Sequence, residues 1–122
     1  MNEKPRDIRE RTFAFALEIA RLCQRLEKQS GVHRTLGRQL LRSGTSIGAN
    51  AEEAQAGQSR ADFVSKCAIA LKEARETTYW LRLIRELDSI RAVEFDPLIQ
   101  EADEVSRIIG TIVVNTKREK QK

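Results

Sequence analysis

Residues that form cross-links, bind metals or stack on bases are scarce in this chain of 122 residues. It has two cysteines and one histidine, too few for a zinc site made of four Cys and His ligands. One tyrosine and one tryptophan leave little for stacking against nucleobases. Cys23 and Cys67 lie within apolar helical patterns, so we expect free, buried thiols in a reducing cytoplasm.

Long apolar runs are also absent, and none approaches the ~20 residues of a membrane-spanning helix. The charged opening segment, residues 1–7, predicts no signal peptide, so we expect a cytoplasmic protein that makes no membrane contact. Six glycines, two prolines and a hydrophobic content of 40% exclude collagen-like and disordered chains. The length predicts a single domain, residues 1–122.

The motifs of common enzyme classes are missing as well. A di-iron bundle needs two Glu-x-x-His motifs, whereas the single His33 has Ser30 three residues before it. A cysteine nucleophile needs a histidine base, and both cysteines fall on apolar stripes. No glycine-rich phosphate loop or nucleophile elbow occurs. We therefore predict no enzyme activity and no catalytic, cofactor-binding or metal-binding residues.

Apolar residues recur every three or four positions along four segments, which is the spacing of one helix face. Together with the capping residues, this pattern predicts four helices, at residues 7–29, 33–56, 60–88 and 96–118. It also predicts a basic C-terminal tail at residues 117–122. Asp7 is placed to cap the first helix, and Asp96–Pro97 predicts the start of the fourth. The expected fold is all-α: an antiparallel up-down-up-down four-helix bundle that assembles as a ring-like homo-oligomer.

Two of the predicted helices have more apolar surface than a monomeric bundle needs. Phe13 and Leu17 lie nearly opposite the main stripe of the first helix, and Ile69, Trp80 and Leu83 lie away from that of the third. A second apolar face usually packs against another subunit or partner, so these residues predict an oligomer interface. The alternative is that Trp80 covers the edge of the core and Phe13 packs under a terminus.

The basic residues are unevenly distributed in a chain whose formal net charge is +4. Arg34, Arg38 and Arg42 recur at every fourth position, opposite the apolar face of the second helix, and no acid occurs between residues 33 and 51. Guanidinium groups suit phosphate oxygens, and an oligomer would repeat this stripe in every subunit. The stripe predicts binding to the backbone of RNA or DNA. The alternatives are an ordinary solvated face and a protein-interaction scaffold without nucleic-acid contact.

Small and polar residues flank the apolar faces of the second and third helices: Ser46, Asn50, Glu53, Lys66, Glu73 and Glu76. If the two helices are antiparallel about a turn at residues 57–59, Glu53 comes near Lys66. The same register brings Arg42 near Glu73 and Glu76. These groups form either structural ion pairs, which contribute little where they are exposed, or a polar pocket or symmetry-related contact.

The same residues carry a resemblance to a known family. Ser46-Ile47, Asn50 and Glu53-Ala54 resemble the S-I-x-x-N-x-x-E-[GA] signature of the four-helix-bundle proteins called 23S rRNA-intervening-sequence proteins. The family's second block is similar to a set of residues in the third helix: Phe63, Lys66, Ala70, Lys72-Glu73-Ala74, Glu76-Thr77 and Tyr79-Trp80-Leu81. The resemblance extends over about residues 10–115.

This resemblance implies an antiparallel bundle that assembles as a homopentamer. Members are often encoded inside insertions in bacterial large-subunit rRNA genes. The accessory protein of diversity-generating retroelements is similar in fold and binds nucleic acid and a reverse transcriptase. The resemblance therefore implies a bacterial, nucleic-acid context and adds no reaction.

Overall fold

The computed structural model describes residues 7–29, 31–87 and 92–121. Within them the chain forms four helices and no strand: α1 (Ile8–Glu27), α2 (Val32–Gln55), α3 (Arg60–Leu87) and α4 (Ala92–Gln121). The predicted all-α class is confirmed, and the bounds of α1, α2 and α3 agree with the prediction to within two residues. Asp88, the predicted end of the third helix, and Lys122, the last residue of the predicted basic tail, lie outside the described residues.

The predicted start of the fourth helix is wrong. The helix begins at Ala92, so Pro97 lies inside it rather than in its first turn. Pro97 is the sixth residue of the helix, so its missing N–H leaves the Val93 carbonyl without its usual intrahelical donor, a loss confined to the start of α4. Phe95 is 1% exposed, and its burial against the core holds the additional turn in place.

The ends of the helices follow local rules. The Asp7 side chain caps α1 as predicted, because its Oδ1 accepts a hydrogen bond from the Arg9 backbone N–H at 2.8 Å. Gly31 joins α1 to α2 with a φ of 67°, a conformation that favours glycine. At the start of α3, the Ser59 hydroxyl accepts a hydrogen bond from the Asp62 backbone N–H at 3.1 Å.

Each helix packs against two neighbours. The adjacent pairs are α1 with α2, α2 with α3, α3 with α4, and α1 with α4. In the described part of the chain, α1 and α3 therefore occupy opposite corners, as do α2 and α4. None of the helices described is both long enough and apolar enough to cross a membrane.

The core contains the large apolar side chains of all four stripes, which are at most 2% exposed: Phe15, Ile19, Leu26, Leu40, Ile47, Leu81, Ile84, Phe95, Val105 and Ile109. Glycines let α2 approach α1 closely. A Cβ atom added at Gly44 would lie 2.7 Å from Ile19 Cγ2, and one added at Gly48 would lie 3.3 Å from the Thr12 carbonyl oxygen. The glycines of α2 are therefore part of the α1–α2 packing.

Candidate nucleic-acid interface

The three arginines of the predicted stripe, Arg34, Arg38 and Arg42, are exposed along one side of α2. The four-residue spacing therefore identifies which side of the helix they occupy. Their guanidinium groups nevertheless have three different environments, which depend on what α1 and α3 bring beside them.

Arg38 is paired with α1. Its Nη2 lies 2.6 Å from Glu27 Oε1, and its Nε donates to Glu27 Oε2 at 3.3 Å. Hydrogen bonding to this guanidinium lowers the pKa of the Glu27 carboxyl below its ordinary value. Because the two side chains are 65% and 49% exposed, the pair contributes little to stability.

Arg42 is paired with α3. Its Nη1 donates to Glu73 Oε2 at 2.9 Å and its Nη2 contacts Glu76 Oε2. The Glu73 side chain is only 10% exposed, so Arg42 compensates a carboxylate that is largely removed from water. The Trp80 indole N–H donates to Glu76 Oε2 at 3.0 Å, and this hydrogen bond, followed by that of Arg42, lowers the pKa of Glu76.

Arg34 makes no ion pair with a carboxylate in the described part of the chain. Its Nε donates to the Gln29 backbone carbonyl at 3.2 Å. Its two terminal nitrogens make no ion pair or hydrogen bond with any described residue. Arg34 is therefore the stripe arginine whose terminal nitrogens are most available to an external anion.

The stripe is electrically balanced by its surroundings. Arg38 and Arg42 contact three carboxylates, Glu27, Glu73 and Glu76, whose charges offset the three positive charges of the stripe. The sequence pattern identifies the partners of Arg42, because α2 and α3 meet about a short turn, but it does not identify Glu27. The spacing of Glu27 and Arg38 across the α1–α2 connection is the signal that could have revealed this second pair.

The remaining polar residues do not form one pocket. Lys66 Nζ lies 2.8 Å from Glu53 Oε2, the pairing expected for a turn at residues 57–59. Ser46 Oγ donates to the Arg42 backbone carbonyl at 2.6 Å, and Asn50 Nδ2 donates to the Ser46 carbonyl at 2.9 Å. Ser46 and Asn50 thus bond to their own helix, whereas Arg42, Glu73 and Glu76 form a separate cluster.

The residues of the predicted oligomer interface differ in exposure. Phe13 is 70% exposed, and Leu17 and Ile69 are also exposed. Trp80 and Leu83 are half-buried, and Trp80 packs against the core. Its neighbour Tyr79 is exposed and is not among the predicted interface residues, although it lies edge-on to Trp80 with ring centroids 5.0 Å apart.

The reactive residue types have environments that suit a structural role. Cys23 and Cys67 are free and buried; burial, followed by the charge of Glu27, raises the pKa of Cys23 to about 12, and burial raises that of Cys67. Among the residues that the structure describes, no group of three or more His, Cys, Asp or Glu side chains could hold a metal ion.

Four packed helices with an ion-paired polar flank along α2 and α3 define a small all-α, four-helix protein. The sequence model of the 23S rRNA-intervening sequence protein family matches residues 4–111, and the chain belongs to this family. A crystal structure from the S23 ribosomal protein family, of a protein of unknown function from Bacteroides thetaiotaomicron VPI-5482, is similar. It is 38% identical, with a TM-score of 0.80 over 88% of this chain and 98% of that chain. No curated protein matches the chain significantly.

Proposed function

We propose that this protein is a non-catalytic, homo-oligomeric four-helix module that binds the backbone of RNA or DNA through Arg34, Arg38 and Arg42. One observation carries the proposal: the three guanidinium groups are exposed along one side of α2. The same helix contributes no acidic residue between residues 33 and 51. The family name refers to sequences within 23S rRNA and that of the neighbour to a ribosomal protein, which favours an RNA context.

Each arginine retains donors for a phosphate. A guanidinium has five N–H donors, and Arg38 and Arg42 each direct only part of this set at carboxylates. The Arg38–Glu27 pair is exposed and contributes about 0–1 kcal/mol, so a phosphate oxygen can share or displace Glu27 at modest cost. At Arg42 a phosphate shares the guanidinium, because displacing it would leave the buried Glu73 carboxylate unpaired. Contacts of this kind position a strand without reading its bases, which agrees with the shortage of aromatic side chains.

The proposal includes an antiparallel up-down-up-down arrangement of the helices. Along α2 and α3, Glu53 pairs with Lys66 and Arg42 with Glu76, so residue numbers rise on one helix as they fall on the other. Along α1 and α4, Arg11 pairs with Glu101 and Arg25 with Glu94, in the same opposed order. These two sets of contacts support the arrangement.

The proposal also includes assembly into a ring, with the homopentamer implied by the family resemblance. Exposed apolar residues lie on α1, at Phe13 and Leu17, and on α3, at Ile69 and Tyr79. Since α1 and α3 occupy opposite corners, a two-fold contact through one face leaves the other uncovered. A head-to-tail contact covers both and closes into a ring when the rotation permits. In a ring, the stripe is presented once per subunit.

The test compares nucleic-acid binding by the parent protein and by a triple Arg34→Gln, Arg38→Gln, Arg42→Gln variant. Fluorescence anisotropy with labelled single-stranded RNA and DNA of the same sequence is recorded over a range of KCl concentrations. Each phosphate contact to a single strand contributes about 0.7 to the salt slope, so the variant should lose up to about 2 units of slope. The matched control removes three exposed charges elsewhere, at Arg21, Lys28 and Arg60.

A protein-interaction scaffold is the second candidate function. It is favoured by the balance of three arginines and three carboxylates along the stripe, which weakens the attraction for polyanions. If the parent protein binds neither RNA nor DNA in a salt-dependent manner, the scaffold function replaces the nucleic-acid proposal. If the triple variant and the control bind equally, the stripe is not the binding surface.

A further inference from the structure

We infer that the groove between α3 and α4 is a second binding site, which accepts a phosphodiester strand. This inference shares its ligand class with the proposed function but none of its residues. The groove has a volume of about 690 Å³ and is open to solvent. Its lining includes Arg75 and Thr78 from α3, and Arg107, Gly110, Asn115 and Arg118 from α4.

The charge of the groove distinguishes it from the stripe on α2. Three arginines line it with one carboxylate, Asp103, which pairs with Arg107 at 2.6 Å. Arg75 and Arg118 are exposed and make no ion pair with any residue that the structure describes. Two positive charges are therefore in excess in the groove, whereas the three charges of the stripe are balanced by carboxylates.

The lining of the groove includes a glycine, Gly110, that the packing of the described chain does not require. A Cβ atom added at Gly110 would meet only Leu71 Cδ2, at 4.0 Å, which is an ordinary van der Waals contact. The glycines of α2 differ, because a Cβ at Gly44 would overlap Ile19. A glycine in the middle of a helix weakens that helix relative to alanine. Its effect at position 110 is to keep the groove open where the two helices face each other.

The distribution of the arginines suits a strand better than a single phosphate. Arg107 and Arg118 are separated by eleven residues, or about 16 Å along the axis of α4. One strand of a duplex carries a charge about every 3.4 Å along its axis. Cations spaced along an open groove can therefore contact phosphates several positions apart on one strand. Thr78 and Asn115 add polar groups to the same surface.

The test separates the two surfaces by matched variants of the full-length protein. Arg75→Gln/Arg118→Gln removes the two excess charges of the groove, and Arg21→Gln/Arg60→Gln removes two exposed charges elsewhere. Binding to labelled single-stranded RNA and DNA is measured by anisotropy over a range of KCl. Two lost contacts lower the salt slope by about 1.4, so between about 50 and 200 mM salt the parent should lose about sevenfold more affinity than the groove variant. The control variant should retain the parent's slope.

A second variant tests the shape of the groove without changing its charge. Gly110→Leu adds a large side chain to the lining of the groove, and we expect weaker binding with an unchanged circular dichroism spectrum. Excess polyglutamate distinguishes a strand site from a general anion site, since it should compete poorly with RNA or DNA.

The outcomes separate this inference from the proposed function. If the groove variant binds as the parent does at every salt concentration while the stripe variant is weakened, the groove inference is overturned and the proposed function stands. If the groove variant alone is weakened, the groove inference stands and the stripe is not the site. If the parent binds no nucleic acid, or if polyglutamate competes as well as RNA, the groove inference is overturned.

Discussion

Gly44 and Gly110 both lie inside helices, yet replacing each by alanine should change stability in opposite directions. In both helices alanine improves the intrinsic propensity by up to about 1 kcal/mol. The new methyl groups meet different surroundings. At Gly110 the nearest described atom is Leu71 Cδ2 at 4.0 Å, so the full gain should appear and Gly110→Ala should stabilise the fold by about 0.5–1 kcal/mol.

At Gly44 the methyl group would overlap a buried side chain. Three atoms of Ile19 lie at 2.7, 3.1 and 3.3 Å from the added Cβ, and Ile19 is fully buried. A β-branched side chain has little rotamer freedom within a helix, so Ile19 cannot swing aside and α1 must move. Overpacking of this kind costs about 1–3 kcal/mol. After the gain in helix propensity, Gly44→Ala should destabilise the fold by about 1 kcal/mol.

The assay is chemical unfolding followed by circular dichroism at one fixed protomer concentration, because the stability of an oligomer depends on concentration. The unfolding free energies of the two variants should differ by about 2 kcal/mol. In thermal unfolding, this corresponds to a difference of roughly 6–12 °C in Tm for a chain of this length. In an Ile19→Ala background, which removes the two closest atoms, the penalty at Gly44 should largely disappear. Equal stability of the two single variants would refute the close approach of α1 and α2.

Three further predictions concern the thiols, the acid response and the assembly. Because burial raises the pKa of Cys23 to about 12 and also raises that of Cys67, neither thiol should react with a disulfide reagent at pH 8 until denaturant is added, and rapid labelling of the native protein would contradict their burial. The lowered pKa of Glu76 means that its stabilising contribution is present above the ordinary carboxyl pKa and is lost as pH falls through the folded value, so Glu76→Gln should flatten the decline in unfolding free energy below pH 5. Light scattering should give a mass several times the 13.9 kDa of one chain. Because the Phe13 side chain is 70% exposed, Phe13→Glu should lower that mass without reducing helix content. A parent protein with the mass of a single chain would refute assembly.

The helix ends that the sequence predicts well are those determined by neighbouring residues. Asp7 caps α1 and Gly31 provides the left-handed turn before α2, and both act within a few positions of their own place in the chain. The start of α4 depends instead on the burial of Phe95, which is a tertiary effect. Asp96–Pro97 is a strong local signal for a helix start, but burying an aromatic side chain outweighs it.

The candidate site, like the helix ends, is predictable from the sequence only where local geometry determines it. Spacing along α2 determines that Arg34, Arg38 and Arg42 share an exposed side, because that depends only on helical geometry. Whether each guanidinium is paired depends on which carboxylates the neighbouring helices bring to it. The groove between α3 and α4 joins Arg75 to residues more than thirty positions away. No motif marks this groove, so only the packing of the two helices identifies it.

The pairing also determines how much each arginine can contribute to binding a polyanion. A phosphate that contacts Arg38 or Arg42 also approaches a carboxylate, and two like charges about 4 Å apart repel by about 1 kcal/mol in water. Arg75 and Arg118 make no ion pair in the described chain, so a phosphate at either meets no paired carboxylate there. Since 1 kcal/mol corresponds to about a fivefold change in affinity, Arg38→Gln/Arg42→Gln should weaken binding less than Arg75→Gln/Arg118→Gln, although both remove the same charge. An equal loss from the two double variants would show that strand binding displaces Glu27, Glu73 and Glu76, and a larger loss from the stripe variant would place the main contact on α2.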